Sequence, residues 1–138
     1  MDRQKDALYA WEETFRSFDE RTLTREETRE VIHRCCRRYS LKPPRVRFMP
    51  EYKNEMSFLL GGVITMNYSH CNHAVSCHEA AHYILASMDH DEEAEDHGPE
   101  FVCLYLDLLI EERVAPRSAL EASLEQAGIE WTKPAARK

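Results

Sequence analysis

Apolar residues in this chain recur mostly at intervals of three and four, the spacing of one face of an α-helix. The first helix is expected at residues 5–20, where four large side chains follow that spacing: Leu8, Trp11, Phe15 and Phe18. A T-x-x-E capping box at Thr24 and Glu27 predicts the start of a second helix, which should continue to about residue 39. Each helix is expected to pack its apolar face on the core.

After the second helix the apolar spacing changes to a period of two. A pair of prolines ends that helix, and Val46 and Phe48 then alternate with arginines, as in a strand with one buried face. Two more strands are expected on either side of Gly61-Gly62, because two glycines supply the positive φ angles of a tight hairpin turn. These segments predict a small three-stranded antiparallel sheet.

Helical spacing returns in the second half of the chain. One helix is expected after Ser69 or Asn72, either of which suits an N-cap, and it carries two histidines one turn apart. A second is expected from Pro99 to about residue 113, and a last one from Pro116 to Gly128. Together these segments predict a single α+β domain over residues 1–138, with an ordered core at about 5–130.

The helix after the hairpin contains the pattern His78-Glu79-Ala80-Ala81-His82. Side chains one turn apart share a helix face, so both imidazoles can point at one metal ion, with the glutamate close enough to act on a water molecule there. The alternative is a helix with two surface histidines. The flanking residues are apolar, however, and burying these three polar side chains without partners would cost free energy. A metal ion would satisfy all three.

A third histidine follows in His97-Gly98-Pro99-Glu100-Phe101. Catalytic zinc usually has three protein ligands and one open position, so this histidine completes a candidate hydrolytic site. Glu100 is expected to be a carboxylate of the first helical turn, or one that orients a ligand, rather than a fourth ligand. Tyr68, His70 and His73 are candidates for stabilising an oxyanion, and surface-loop residues are the alternative interpretation of all three.

The paired pattern HExxH and HGPEF resembles the SprT-like zinc metallopeptidases over about residues 45–130. It is most similar to a group of small predicted metallohydrolases of actinobacteria and their phages. The resemblance implies a zincin-like fold with an edge strand beside the cleft. It also implies that His78, His82 and His97 bind Zn²⁺ and that Glu79 is the general base. The zinc ribbon or DNA-binding tail of longer SprT-like proteins is not found, which weakens the expectation of a DNA-linked substrate.

The predicted function is therefore zinc-dependent hydrolysis of peptide bonds, with a protein or peptide as substrate. Glu79 would accept a proton from a zinc-activated water and pass it to the leaving amine. Two alternatives stay open: a zinc-stabilised binding or regulatory protein without activity, and a DNA-associated protease acting on DNA-bound proteins. The second rests on a basic cluster that can also be read as a solvated helix end: Arg34, Arg37, Arg38, Lys42, Arg45 and Arg47.

Composition restricts these possibilities. With 138 residues the chain can form one domain with a core, and its net charge of −7 argues against strong non-specific binding of nucleic acid. No apolar run approaches the ~18 residues of a membrane span, and the N-terminus lacks an apolar signal segment, so a cytoplasmic protein is expected. No heptad pattern indicates a dimer, so a monomer is the default expectation.

Two further stretches bear on the site. The five cysteines are expected to be free and mostly buried thiols; Cys71 and Cys77, just before His78, are weaker alternatives as metal ligands. Residues 89–96 contain six acids and predict a solvated loop bordering the cleft, which would favour basic segments of a substrate.

Overall fold

The computed structural model describes residues 2–16, 22–50, 57–67, 71–88 and 97–132, with residues 15 and 16 described by their backbone only. Within these ranges the chain forms an α+β fold of five helices and three strands, in the order α1 (Lys5–Arg16), α2 (Arg25–Arg38), β1 (Arg45–Met49), β2 (Phe58–Leu60), β3 (Val63–Asn67), α3 (His73–Ser87), α4 (Pro99–Glu111) and α5 (Arg117–Ala127). Several predictions lie outside the described residues: the helical role of Phe18, the N-cap Ser69, the candidates Tyr68 and His70, and the acidic loop 89–96.

The helix boundaries follow from local chemistry. Thr24 caps α2 with both halves of the predicted capping box, since its hydroxyl accepts from the backbone N–H of Glu27 and the Glu27 carboxylate accepts from the backbone N–H of Thr24. The side chain of Asn72 accepts from the backbone N–H of Val75 and starts α3. Gly128 ends α5 in the left-handed conformation, at φ 71°. These predicted starts and stops are confirmed.

The sheet has the order β1-β3-β2 and is mixed. β2 and β3 form the predicted hairpin, with Gly61 and Gly62 at φ 57° and 75°. The prediction of an antiparallel sheet is wrong for β1, which pairs with β3 in parallel. The chain reverses direction between β1 and β2, and β3 then occupies the position between them, so it must run parallel to β1. Apolar alternation specifies which face of a strand is buried but not the direction of its neighbour.

The helix α3 lies at the centre of the fold. It packs against α2 on one side and α4 on another, and it also contacts β2. Its buried residues cover most of its circumference: Ala74, Ser76, Cys77, His78, Glu79, Ala80, Ala81, Ile84 and Leu85. The inward row Val46, Ile64 and Leu59 aligns across the three strands and faces this core. The predicted burial of the H-E-x-x-H helix is therefore confirmed.

The N-terminal helix α1 packs on this core through Leu8 and Trp11, which are almost completely buried. The indole N–H of Trp11 donates to the Ser123 hydroxyl at 2.7 Å and so joins α1 to α5. This packing places α1 beside His78 of α3 and beside His97. Among the described helices, none combines the length and apolarity that a bilayer-crossing segment requires.

Candidate metal centre

Three histidines from two parts of the chain converge at one point. His78 and His82 project from one face of α3, and His97 lies just before α4, where Gly98 is the N-cap and Pro99 begins the helix. The Nε2 atoms of His82 and His78 are 3.2 Å apart, those of His82 and His97 are 3.2 Å apart, and those of His97 and His78 are 3.3 Å apart. The structure thus brings together the three predicted ligands.

This triangle has the dimensions of a tetrahedral metal site. Two nitrogens bound to one zinc ion at about 2.0–2.1 Å with tetrahedral angles lie about 3.3 Å apart. Among the described residues, one group of side chains lies close enough together to share an ion. It consists of these three histidines and includes no cysteine. The Phe101 ring stacks on His82 at 4.3 Å between ring centroids and also contacts the rings of His78 and His97. The residues present therefore fit a metal ion with imidazole ligands, and their geometry leaves the identity of the metal open.

In two of the histidines, the ring nitrogen Nδ1, which faces away from the centre, contacts a carboxylate that was not predicted from the sequence. The Nδ1 atom of His78 is hydrogen-bonded to the Glu12 carboxylate of α1. The Nδ1 atom of His97 is 2.6 Å from Asp2 Oδ2. A carboxylate accepts hydrogen bonds, so each Nδ1 carries the proton and each Nε2 presents its lone pair to the centre. A signal for Glu12 was present in the sequence, since it lies four residues after Leu8 on the core-facing side of α1.

Burial and neighbouring charges shift the pKa values of the three histidines in different directions. Burial, reinforced by the charges of His78 and His97, lowers the pKa of His82 to about 2. Burial also lowers the pKa of His97, although the hydrogen bond to Asp2 opposes this. For His78 burial acts in the same direction, but the adjacent Glu12 carboxylate outweighs it and the pKa is raised. With the proton on Nδ1, the Nε2 lone pairs of His78 and His97 face each other at 3.3 Å, and a shared cation would remove their repulsion.

Glu79 lies beside the histidines and is 5% exposed. Burial raises its pKa to about 6, with the charge of His78 lowering it and that of Glu12 raising it. Its Oε1 atom is buried and has no hydrogen-bond partner among the described residues. An unpaired, buried carboxylate oxygen in a cavity is the expected state of a group whose partner is a water or a substrate.

A cavity of about 310 Å³ opens onto this cluster. Its polar lining consists of Glu79 and the three histidines, and its other wall is largely apolar: Tyr9, Ser57, Phe58, Leu59, Leu85 and Ala86. Tyr9 was not predicted; its ring stacks on His78 at 5.9 Å and lies 5.5 Å from His97. Burial, with the nearby charges of Glu12, Glu79 and Asp2, raises the pKa of Tyr9 to about 12, so the hydroxyl stays protonated.

The remaining predicted site residues lie elsewhere. His73 begins α3 and its Nε2 is 2.8 Å from Glu112 Oε1, so it does not line the described cavity wall. The suggestion that His73 stabilises an oxyanion therefore has no support in its position. Glu100 lies in the first turn of α4, as expected, and is also outside that wall. None of the five cysteines forms a disulfide, and four of them are buried, as predicted.

Glu112, just after α4, also forms ion pairs with two arginines of the basic cluster, Arg34 and Arg38. The Arg34 guanidinium donates to both carboxylate oxygens of Glu112: Nε donates to Oε2 at 2.9 Å, and Nη2 donates to Oε1 at 2.5 Å. Arg38 donates to Glu111 at 3.2 Å and reaches Glu112 at 3.5 Å. These cations connect α2 to α4, so they are less available for a nucleic acid than the sequence analysis allowed. The acids come from 73 to 78 residues away, which local sequence does not reveal.

The Glu112 network predicts a pH-dependent stability. Burial opposes ionisation of Glu112, but hydrogen bonds from Arg34 and His73 outweigh it and lower the pKa from 4.5 to about 2. A lowered pKa stabilises the fold above pH 4.5, and this contribution is lost as the pH falls from about 4.5 towards 2. In urea unfolding of chelator-treated protein, Glu112→Gln should be less stable than wild type by roughly 1–3 kcal/mol at pH 7.

That difference should shrink at pH 3. Glu111→Gln is the matched control, because its side chain is largely exposed and its pair with Arg38 should contribute less than about 1 kcal/mol. An equal loss of stability at pH 7 and pH 3 for Glu112→Gln would contradict the low pKa assigned to this carboxyl.

Comparison of the chain with protein-family models, with curated protein sequences and with solved structures finds no significant match.

Proposed function

We propose that this chain is a zinc-dependent metallopeptidase of the SprT-like type, with a zincin-like active site. One observation carries the proposal: three Nε2 atoms converge at tetrahedral spacing beside the buried, unpaired carboxylate oxygen of Glu79, in the same cavity. Imidazole nitrogen is a ligand that zinc prefers, and three ligands leave a position open for a reactant. The order of HExxH and HGPEF along the chain supports the same assignment.

In this mechanism a zinc ion held by His78, His82 and His97 would activate water and polarise the scissile carbonyl. Glu79 accepts the proton of the attacking water and donates it to the leaving amine. Burial raises the pKa of this carboxyl, which is the direction that helps it to hold the transferred proton. Tyr9 keeps its proton and can donate to the carbonyl oxygen as negative charge develops there.

The cavity wall favours an extended peptide as substrate. Residues 57–59 line the cavity, and β2 is an outer strand of the sheet, with β3 on its inner side. An outer strand has backbone N–H and C=O groups that can pair with an added strand. The exposed side chains of Phe58 and Leu60 lie on this strand, so we propose that apolar peptide side chains pack there.

The test is metal content followed by hydrolysis. Purified protein should contain about one zinc ion per chain by elemental analysis. It should cleave an unfolded protein or a mixed peptide library, with products identified by mass spectrometry. Treatment with a chelator should abolish cleavage, and one equivalent of zinc should restore it.

Each alternative outcome has a definite meaning. Zinc binding without cleavage of any peptide would favour the zinc-stabilised binding protein over the enzyme. Protein that takes up no zinc even on reconstitution would overturn the proposal altogether. Cleavage that requires DNA and is lost at high salt would instead favour the DNA-associated protease.

A further inference from the structure

Two carboxylates from the N-terminal segment contact the metal-binding histidines from outside. Glu12 is hydrogen-bonded to Nδ1 of His78, and Asp2 Oδ2 is 2.6 Å from Nδ1 of His97. Both contacts engage the ring nitrogen that faces away from the centre of the triangle. Glu12 and His78 are 66 residues apart, and Asp2 and His97 are 95 residues apart. Two separate tertiary contacts therefore place a carboxylate on Nδ1 of a histidine.

The position of Glu12 is fixed by its surroundings. Glu12 is only 7% exposed, although it is an acid on a short helix. It follows Leu8 by one turn on the buried face of α1, and the neighbouring Trp11 is anchored to Ser123. The Tyr105 hydroxyl, which donates to the carbonyl of Ala74 at 3.2 Å, also contacts Glu12. A buried carboxylate is costly unless its partners compensate, and His78 is the partner that the metal site supplies.

Asp2 is held by a different set of contacts. Gln4 donates from Nε2 to the carbonyl oxygens of His97 at 3.1 Å and Glu130 at 3.2 Å. Its amide oxygen accepts from the backbone N–H of Glu130 at 2.7 Å. The start of the chain is thus fastened both to His97 and to the segment after α5. This arrangement places Asp2 within reach of the His97 ring.

We propose that Glu12 and Asp2 are positioning residues of the metal centre, which hold His78 and His97 with the proton on Nδ1 and the lone pair of Nε2 on the metal. The inference rests on the proposed metal site and assigns it two residues outside the H-E-x-x-H and H-G-P-E-F patterns. An anionic acceptor on Nδ1–H makes the opposite nitrogen more basic and fixes the ring orientation. Loss of such a partner typically weakens metal binding by about 10–100-fold.

The arrangement also makes α1 part of the site. Three side chains of the first 12 residues contact two of the three histidines. The Glu12 carboxylate contacts His78, the Asp2 carboxylate contacts His97, and the Tyr9 ring contacts both. A chain shortened by these residues would keep the complete histidine and glutamate pattern. It would lose the acceptors on two imidazoles together with Leu8 and Trp11 of the core, so the effect on the metal is tested by substitutions in the full chain.

The experiment compares Glu12→Gln, Asp2→Asn and the matched control Asp6→Asn in the full chain. Asp6 is an exposed acid in the first turn of the same helix, so its removal changes charge and helix electrostatics without touching a histidine. Zinc affinity is measured by competition with a chromogenic chelator, and the cobalt-substituted protein is examined by visible absorption. Thermal unfolding of the metal-free proteins reports their stability separately.

Glu12→Gln and Asp2→Asn should each weaken zinc binding by about 10–100-fold, while Asp6→Asn stays within about twofold of wild type. A structural role alone would lower the unfolding temperature of metal-free protein and leave the affinity of the folded protein unchanged. Wild-type affinity in both test variants would overturn the inference. If Glu12→Gln does not fold, Asp2→Asn carries the test, because Asp2 lies at the partly exposed start of the chain.

The two proposals fail differently. Absence of zinc binding in the wild type would remove the proposed function itself. Tight binding in the wild type and in both variants would remove only the positioning role.

Discussion

Replacement of Glu79 by glutamine is expected to lower the rate of peptide hydrolysis by about 10²–10⁴-fold and to leave the zinc content unchanged. Glutamine has nearly the same shape and fits the same buried position, but it cannot accept a proton from water. The three imidazoles remain, so the ligand set is intact. The measurement pairs initial rates on a fluorogenic peptide with elemental analysis of the same protein sample.

The control for this substitution is Glu125→Gln, an exposed glutamate on α5 that should leave both quantities at wild-type values. A Glu79→Gln protein that hydrolyses peptides at the wild-type rate would eliminate Glu79 as the general base. Loss of zinc from Glu79→Gln would instead show that the carboxylate contributes to holding the metal.

The second large effect is expected from His97→Ala, which should reduce zinc from about one ion per chain to near zero. Two histidines on α3 are then left, and two ligands bind zinc far more weakly than three. The change also removes the partner of Asp2, whose other oxygen, Oδ1, already lacks a hydrogen-bond partner among the described residues. Elemental analysis after dialysis at matched protein concentration measures the effect.

His33→Ala is the matched control, since His33 is a half-buried histidine on α2 outside the metal-binding group. Zinc retained at full occupancy in His97→Ala would make His97 structural, and the search for a third ligand would return to Cys71 and Cys77. A loss of zinc in both variants would indicate that the substitutions disturb folding rather than coordination.

Local chemistry in the sequence accounts for much of the site. Helical periodicity predicts that His78 and His82 share a face, because four residues make about one turn. The apolar flanks predict that this face is buried, and Asn72, Gly128 and the Thr24 capping box predict where helices begin and end. The Gly61-Gly62 pair predicts the hairpin, since few other residues adopt two successive positive φ angles.

Local sequence therefore predicts most of the helices and strands, and it predicts the residues able to bind a metal. Three features became visible only in the folded chain: the parallel pairing of β1 with β3, the contacts of Glu12 and Asp2 with the histidines, and the ion pair of Arg34 with Glu112. The physical reason is distance along the chain. Capping, turns and periodicity act over a few residues, whereas these contacts join positions 18 to 95 residues apart and form only when the core packs.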